Sequence, residues 1–232
     1  MTNIMANDAD RITLEDTPND EGGWQALEEG AQYYVEAMGY TDIADHDERI
    51  KCFRAAEVLY LEAAEKGNPY AWQNLGYIYS YDRCEGQYLG VEGPDSSKDP
   101  EGALQARETR AFECYQHAAD AGLPEATYKL GDMYKHGTGC EADAVEAFRC
   151  YKQAFDLGKN EHPVIWGSVA LRLADCYENA FGCEQSFAKA LKWYEQAVTG
   201  LDIAVRDGEW FYKKALASAQ DGVKRCKQEL RG

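Results

Sequence analysis

One phrase recurs three times at helical spacing: Ala71-x-x-x-Leu75-Gly76-x-x-Tyr79, Ala126-x-x-x-Leu130-Gly131-x-x-Tyr134 and Val169-x-x-x-Leu173-Ala174-x-x-Tyr177. A second phrase follows each copy: Ala111-Phe112-Glu113-Cys114-Tyr115, Ala147-Phe148-Arg149-Cys150-Tyr151 and Ala190-Leu191-Lys192-Trp193-Tyr194. Self-similarity of this kind restricts the chain to stacked copies of one supersecondary unit. In the first phrase the apolar and small residues fall at i, i+4, i+5 and i+8, one stripe of a helix with about 3.6 residues per turn. The second phrase sets Ala and Tyr four apart, with Ala118, Ala154 and Ala197 three further on, which is a second amphipathic stripe. Glycine costs helix propensity, so Gly76, Gly131 and Ala174 at one register imply a close approach by a neighbouring helix backbone.

The two helices of the best copy are joined by Lys135-His136-Gly137-Thr138-Gly139-Cys140, whose glycines can supply positive φ. The fourth copy keeps only Gly182 and Cys183 of that loop. Gly67-Asn68-Pro69, Gly122-Leu123-Pro124, Gly158-Lys159-Asn160 and Gly200 read as stops of the second helix.

These residues resemble the Sel1-like repeats, relatives of the tetratricopeptide repeats, whose pattern runs A-x-x-x-L-G-x-x-Y, G-x-G-V, D-x-x-K-A-x-x-W-Y-x-K-A-A and then G-N or G-x-P. The segment Ala126 to Asn160 follows it, with Cys140, Glu146 and Cys150 in the Val, Lys and Trp places. Ser186-x-x-Lys189-Ala190-x-x-Trp193-Tyr194 follows its second half, and Gly30, Tyr33 and Ala56 to Pro69 form a degenerate first copy. The resemblance spans residues 24 to 200. It implies an all-α, right-handed α-α superhelix of about four helix-turn-helix repeats, at roughly 24–69, 70–124, 125–160 and 165–200. Residues 1–21 hold six acids and one arginine and are expected to be a disordered arm. Residues 201–232 read as a capping helix with its basic side chains in solvent. The second-helix tyrosines 60, 115, 151 and 194 are 55, 36 and 43 residues apart by subtraction, so extra chain lies at Tyr81–Asp99 and near Lys159–Gly167. Insertions of this kind are expected in loops.

The formal charge of −17 disfavours nucleic acid and anionic lipid surfaces as partners. Residues 1–49 carry 13 acids against 2 arginines, which favours a basic partner. No apolar run reaches the roughly 18–20 residues that span a bilayer, and the N-terminus lacks a basic start before an apolar core. A cytoplasmic location with reduced cysteines is therefore expected. Cys114, Cys150 and Cys176 sit at helix stripe positions and read as small buried hydrophobes.

The search for chemistry returns little. Ser186-Phe187-Ala188-Lys189 has the S-x-x-K spacing of penicillin-interacting serine enzymes, but Ser186 stands where the repeat places a helix cap, and S-D-N and K-T-G are missing. The four histidines form no H-E-x-x-H and no C-x-x-C occurs, so neither metal nor cofactor is expected. By the resemblance, the first helix of each repeat lines a concave face, and its off-stripe residues point into a groove. That rule selects Trp24, Tyr70, Gln73, Asn74, Tyr77, Tyr81, Tyr128, Lys129, Asp132, Lys135, Arg172 and Asp175. The expected role is a non-catalytic adaptor or scaffold that holds a protein or peptide there. The alternatives are the serine hydrolase above and an acidic immunity or regulatory protein that neutralises a basic partner.

Overall fold

The structure, a computed structural model, describes residues 20–160 and 162–231. Among them are nine α-helices and no strand. The acidic arm lies outside the described residues as far as position 19. Asp20 and Glu21, assigned to the arm by composition, belong instead to the folded part. Asp20 accepts hydrogen bonds from the backbone N–H of Gln25 and Ala26 and pairs with Lys66, and Glu21 opens a short 3-10 turn.

Contacts divide the chain into two compact units, the first ending at Glu92 and the second starting at Gly93. In unit 1, α1 (Trp24–Gly39) packs along α2 (His46–Glu65), and α2 packs on α3 (Pro69–Ser80). In unit 2, α4 (Pro100–Asp120) packs on α5 (Pro124–His136), α5 on α6 (Ala144–Gly158), α6 on α7 (Pro163–Asn179), and α7 on α8 (Phe187–Arg206). The last helix, α9 (Lys213–Glu229), packs on α8 and reaches α7. The copy expected at 70–124 is thus divided, with α3 in unit 1 and α4 in unit 2.

Local sequence accounts for most helix ends. Proline opens α3, α4, α5 and α7, where its missing N–H costs nothing. Asn68, Asp99, Asp143 and Ser186 accept backbone hydrogen bonds as N-caps. Gly67 and Gly122 take positive φ and stop α2 and α4 as expected. Gly200 does not stop α8, which runs on to Arg206. A Cβ on Gly167 would lie 3.0 Å from Leu201 N and 3.1 Å from Gly200 C, so this glycine pair lets α7 and α8 touch backbone to backbone. The extra residues near 159–167 likewise lengthen α7 to 17 residues and start it early, with Val164, Gly167 and Ser168 buried, rather than forming a loop.

The core is built from the repeated phrases. Tyr60, Tyr115, Tyr151 and Tyr194, the second-helix tyrosines, are among the largest fully buried side chains. The mid-helix glycine makes room for this ring and the Cβ before it, not for backbone. A Cβ on Gly131 would sit 2.7 Å from the Tyr151 ring and 3.1 Å from Cys150 Cβ, and one on Gly30 would sit 2.8 Å from Tyr60. Neighbouring copies then interlock. Tyr134 meets Phe112 edge-on at 5.3 Å, and Tyr177 meets Phe148 at 5.4 Å. All eight cysteines are free thiols, with Cys84, Cys114, Cys150, Cys176 and Cys226 buried.

Candidate functional site

The expected groove residues fall into two groups that the fold treats differently. In unit 2, α5 supplies Tyr128, Lys129, Asp132 and Lys135, and α7 supplies Arg172 and Asp175. The Tyr151 hydroxyl donates to Asp132 Oδ1 at 2.8 Å, and Arg172 Nε donates to the same oxygen at 2.6 Å while its Nη2 holds Oδ2. Burial pushes the Asp132 carboxyl up, but the Arg172 guanidinium outweighs it and leaves the group below its ordinary value. The arrangement repeats one layer on. The Tyr194 hydroxyl lies within hydrogen-bond reach of both Asp175 Oδ1, at 2.6 Å, and Glu178 Oε2, which share its single proton, and Arg225 of α9 grips Glu178 through two bonds of 2.8 Å. Each relay joins a second-helix tyrosine, an acid of the first helix and an arginine of the next layer.

The relays take up Asp132, Arg172 and Asp175 of the expected groove. Arg172 lies 4.7 Å over the Tyr128 ring, which is only 4% exposed. Lys129 lies 5.7 Å from the same ring, and Lys135 lies 5.9 Å from Phe181. The basic residues of α9, expected in solvent, are partly engaged as well, Arg225 with Glu178 and Lys227 with Glu195.

Unit 1 is built without the charged relay. Ala31 and Tyr77 stand at the register of Asp132 and Asp175, and the Tyr60 hydroxyl is met by the Asn74 amide instead. The result is an aromatic face. Trp24 is 56% exposed, Tyr70 44% and Tyr81 52%, with Tyr77 and Gln73 half-buried between them. Trp24 and Tyr70 rings lie 5.8 Å apart, and Tyr77 stacks on Tyr81 at 6.0 Å with 14° between planes. Arg83, from the segment after α3, closes one end. Its guanidinium lies 5.3 Å from the Tyr81 ring and 5.5 Å from Phe53, and its Nε donates to the Tyr34 hydroxyl at 3.2 Å. Sequence reasoning did not select Arg83, since nothing in the repeat marks that position.

A second missed residue is Glu57, which occupies the place of Phe112 and Phe148 in the second phrase. It is 0% exposed. Its Oε1 accepts from Tyr79 at 3.1 Å, Leu89 N at 3.0 Å and Gly90 N at 2.8 Å, so the extra chain after α3 is tied back onto α2. Burial raises this carboxyl above its ordinary value despite those donors. Departure of one copy from the others at a stripe position was the available signal.

Ser186 and Lys189 meet only through the backbone. Ser186 Oγ accepts from Lys189 N at 3.3 Å, a helix cap, while the Lys189 ammonium lies 5.1 Å from the Tyr177 ring. Among the described residues no group of three or more His, Cys, Asp or Glu could hold a metal ion, and no helix is long and apolar enough to cross a membrane.

Helix pairs joined by short loops, with tyrosine and glycine interlocked at fixed registers, define a helical-repeat protein. The family model described as Sel1 repeat matches residues 107–123, 124–159 and 168–199, all within unit 2. Over 90 residues the chain is 36% identical to the chitin synthase regulator SKT5 of Saccharomyces cerevisiae, a stretch that covers 39% of this chain and 10% of that protein. Among solved structures it is similar to a Sel1 repeat protein from Oxalobacter formigenes, at 23% identity and a TM-score of 0.45 over 61% of this chain and 88% of that one. It is also similar to c5321, a protective antigen present in uropathogenic Escherichia coli strains and displaying an SLR fold. That match has 18% identity and a TM-score of 0.36 over 89% of this chain and 53% of that one.

Proposed function

We propose that this chain is a non-catalytic adaptor that holds a protein or peptide on the aromatic face of unit 1. The observation that carries the reading is the contrast between the two units. On its first helices, unit 2 ties Asp132, Arg172, Asp175 and Glu178 into Tyr–acid–Arg relays, whereas unit 1 has Ala31 and Tyr77 at the register of Asp132 and Asp175 and leaves Trp24, Tyr70 and Tyr81 about half exposed. Ordered aromatic surface of this kind stabilises complexes, because tyrosine and tryptophan bring large contact area with a hydrogen-bonding tip at low entropic cost. The 90-residue likeness to a chitin synthase regulator supports a regulatory binding role without naming a target. The capping role of the Ser186 hydroxyl and the seating of the Lys189 ammonium near the Tyr177 ring weigh against the serine-hydrolase alternative.

The test is affinity capture from the native host with the full chain and with a Trp24→Ala, Tyr70→Ala, Tyr81→Ala variant of equal helical content. Loss of a captured protein in the variant is expected. Equal capture by both would overturn this placement of the site.

A further inference from the structure

The aromatic face has a spacing and a charge that point to the chemistry of its occupant. We propose that it takes a basic, proline-rich segment in the extended polyproline II conformation, an inference that rests on the adaptor reading above. Its rings form two pairs, Trp24 with Tyr70 at one end and Tyr77 with Tyr81 at the other. Tyr70 and Tyr77 are seven residues apart on α3, a rise of about 10.5 Å along the helix axis. One turn of polyproline II rises about 9.3 Å, close to the backbone rise that separates Tyr70 of one pair from Tyr77 of the other, so a proline segment lying along α3 can address the two pairs with successive turns. Flat aromatic rings pack well on pyrrolidine rings, and the Trp24 indole N–H and the Tyr70 hydroxyl can donate to carbonyls that polyproline II leaves without internal partners. An added strand would need a sheet edge, and the described residues contain no strand.

The sign of the partner follows from the unit's charge. Residues 20–92 contain 15 acids and 5 bases, a net −10. The bases are already engaged inside the unit: Arg49 with Glu85, Lys51 with Glu48, Lys66 with Glu62, Arg83 with Tyr34, and Arg54 facing Glu57. Arg83 stands at the Tyr81 end of the face, so the attraction comes from the net charge of the unit rather than from an acid at the rings, and it draws in arginine- or lysine-bearing segments whose basic flanks lie beyond the face.

The experiment measures binding of labelled synthetic peptides to the full chain by fluorescence anisotropy. One peptide is a proline run flanked by arginines; in a second the prolines are replaced by Gly and Ser, and in a third the flanks are acidic. The first should bind, with replacement of its prolines and reversal of its flanks each weakening binding by about tenfold or more. Trp24→Ala and Tyr70→Ala should weaken it similarly at unchanged helical content, while Tyr70→Phe keeps most of the affinity. Equal binding of the Gly/Ser peptide, or affinity indifferent to both alanine variants, overturns the proposal. If the proline peptide does not bind but a native partner is still captured in a Trp24- and Tyr70-dependent manner, the polyproline inference falls and the adaptor reading stands.

Discussion

Glu57 carries a carboxylate where two other copies carry a phenyl ring, and its neighbours decide what that carboxylate does. Tyr79, at the register of the edge-on rings Tyr134 and Tyr177, donates to it, and Leu89 and Gly90 bring the backbone of the inserted segment onto the same oxygen. Gly90 is required there, because a Cβ would collide with the Tyr79 hydroxyl. The carboxyl titrates above its ordinary value of 4.5, chiefly through burial. Folded protein therefore binds more protons than unfolded protein above pH 4.5. The group's contribution to stability is fully present below that pH and declines as pH rises through the folded value. Glu57→Gln keeps an acceptor for the backbone donors and removes the charge, so it should flatten this decline and stay within about 1 kcal/mol of the parent at neutral pH. Glu57→Ala should cost about 2–3 kcal/mol by stranding two N–H groups. Urea midpoints at stepped pH read both, and an unchanged slope in the Gln variant would contradict the account. The second phrase exposes Glu57 as a departure from its copies, but its partners lie 32 and 33 residues further on, beyond the reach of any local pattern.

Helices and their connections follow local chemistry more closely. Proline at the first position, an Asx or Ser cap and a left-handed glycine after the end mark most boundaries. The loop after α7 shows what a departure costs. Ala180 occupies the place of Gly137 and keeps its left-handed conformation, with φ of 55° against 67°. Ala180→Gly should therefore stabilise the chain by about 0.5–1 kcal/mol, the strain of an alanine there less the added chain entropy of glycine. Gly182→Ala should do the opposite by at least about 2 kcal/mol, because the left-handed φ is joined by a collision with the Ala144 carbonyl. Calorimetric melts of the two variants should move in opposite directions, and a parallel shift would refute the assignment. Gly200 is the counter-example, a glycine that reads as a stop and works as a contact. A helix ends at glycine only when the chain has reason to turn, and here α7 offers Gly167 as a packing partner instead.

For the molecule as a whole, the two units differ in charge and in how they use equivalent positions, and their thiols report on each unit. Burial pushes the Cys150 thiol up to about 11 and Cys176 up to about 12, so both stay protonated at neutral pH. In native protein Cys52, Cys140 and Cys183, which are half-buried, should alkylate first. Cys84 in unit 1 and Cys114, Cys150, Cys176 and Cys226 in unit 2 should stay protected until their unit opens. Site-resolved alkylation by mass spectrometry in rising denaturant checks this, and rapid native labelling of any of the five would contradict the packing.

The sequence alone determined the all-helical repeat, the two interlocking stripes and the buried tyrosines, since all rest on a period of 3.6 residues and on caps a few residues away. Tertiary structure alone decided which off-stripe residues remain available. Tyr77 and Asp132 share one register. Asp132 meets Arg172 forty residues later and is spent in an ion pair, whereas Tyr77 stacks on Tyr81 and stays part of an open face. Exposure depends on what the next layer places opposite a residue, and that is set by packing between helices rather than by the helix that carries it.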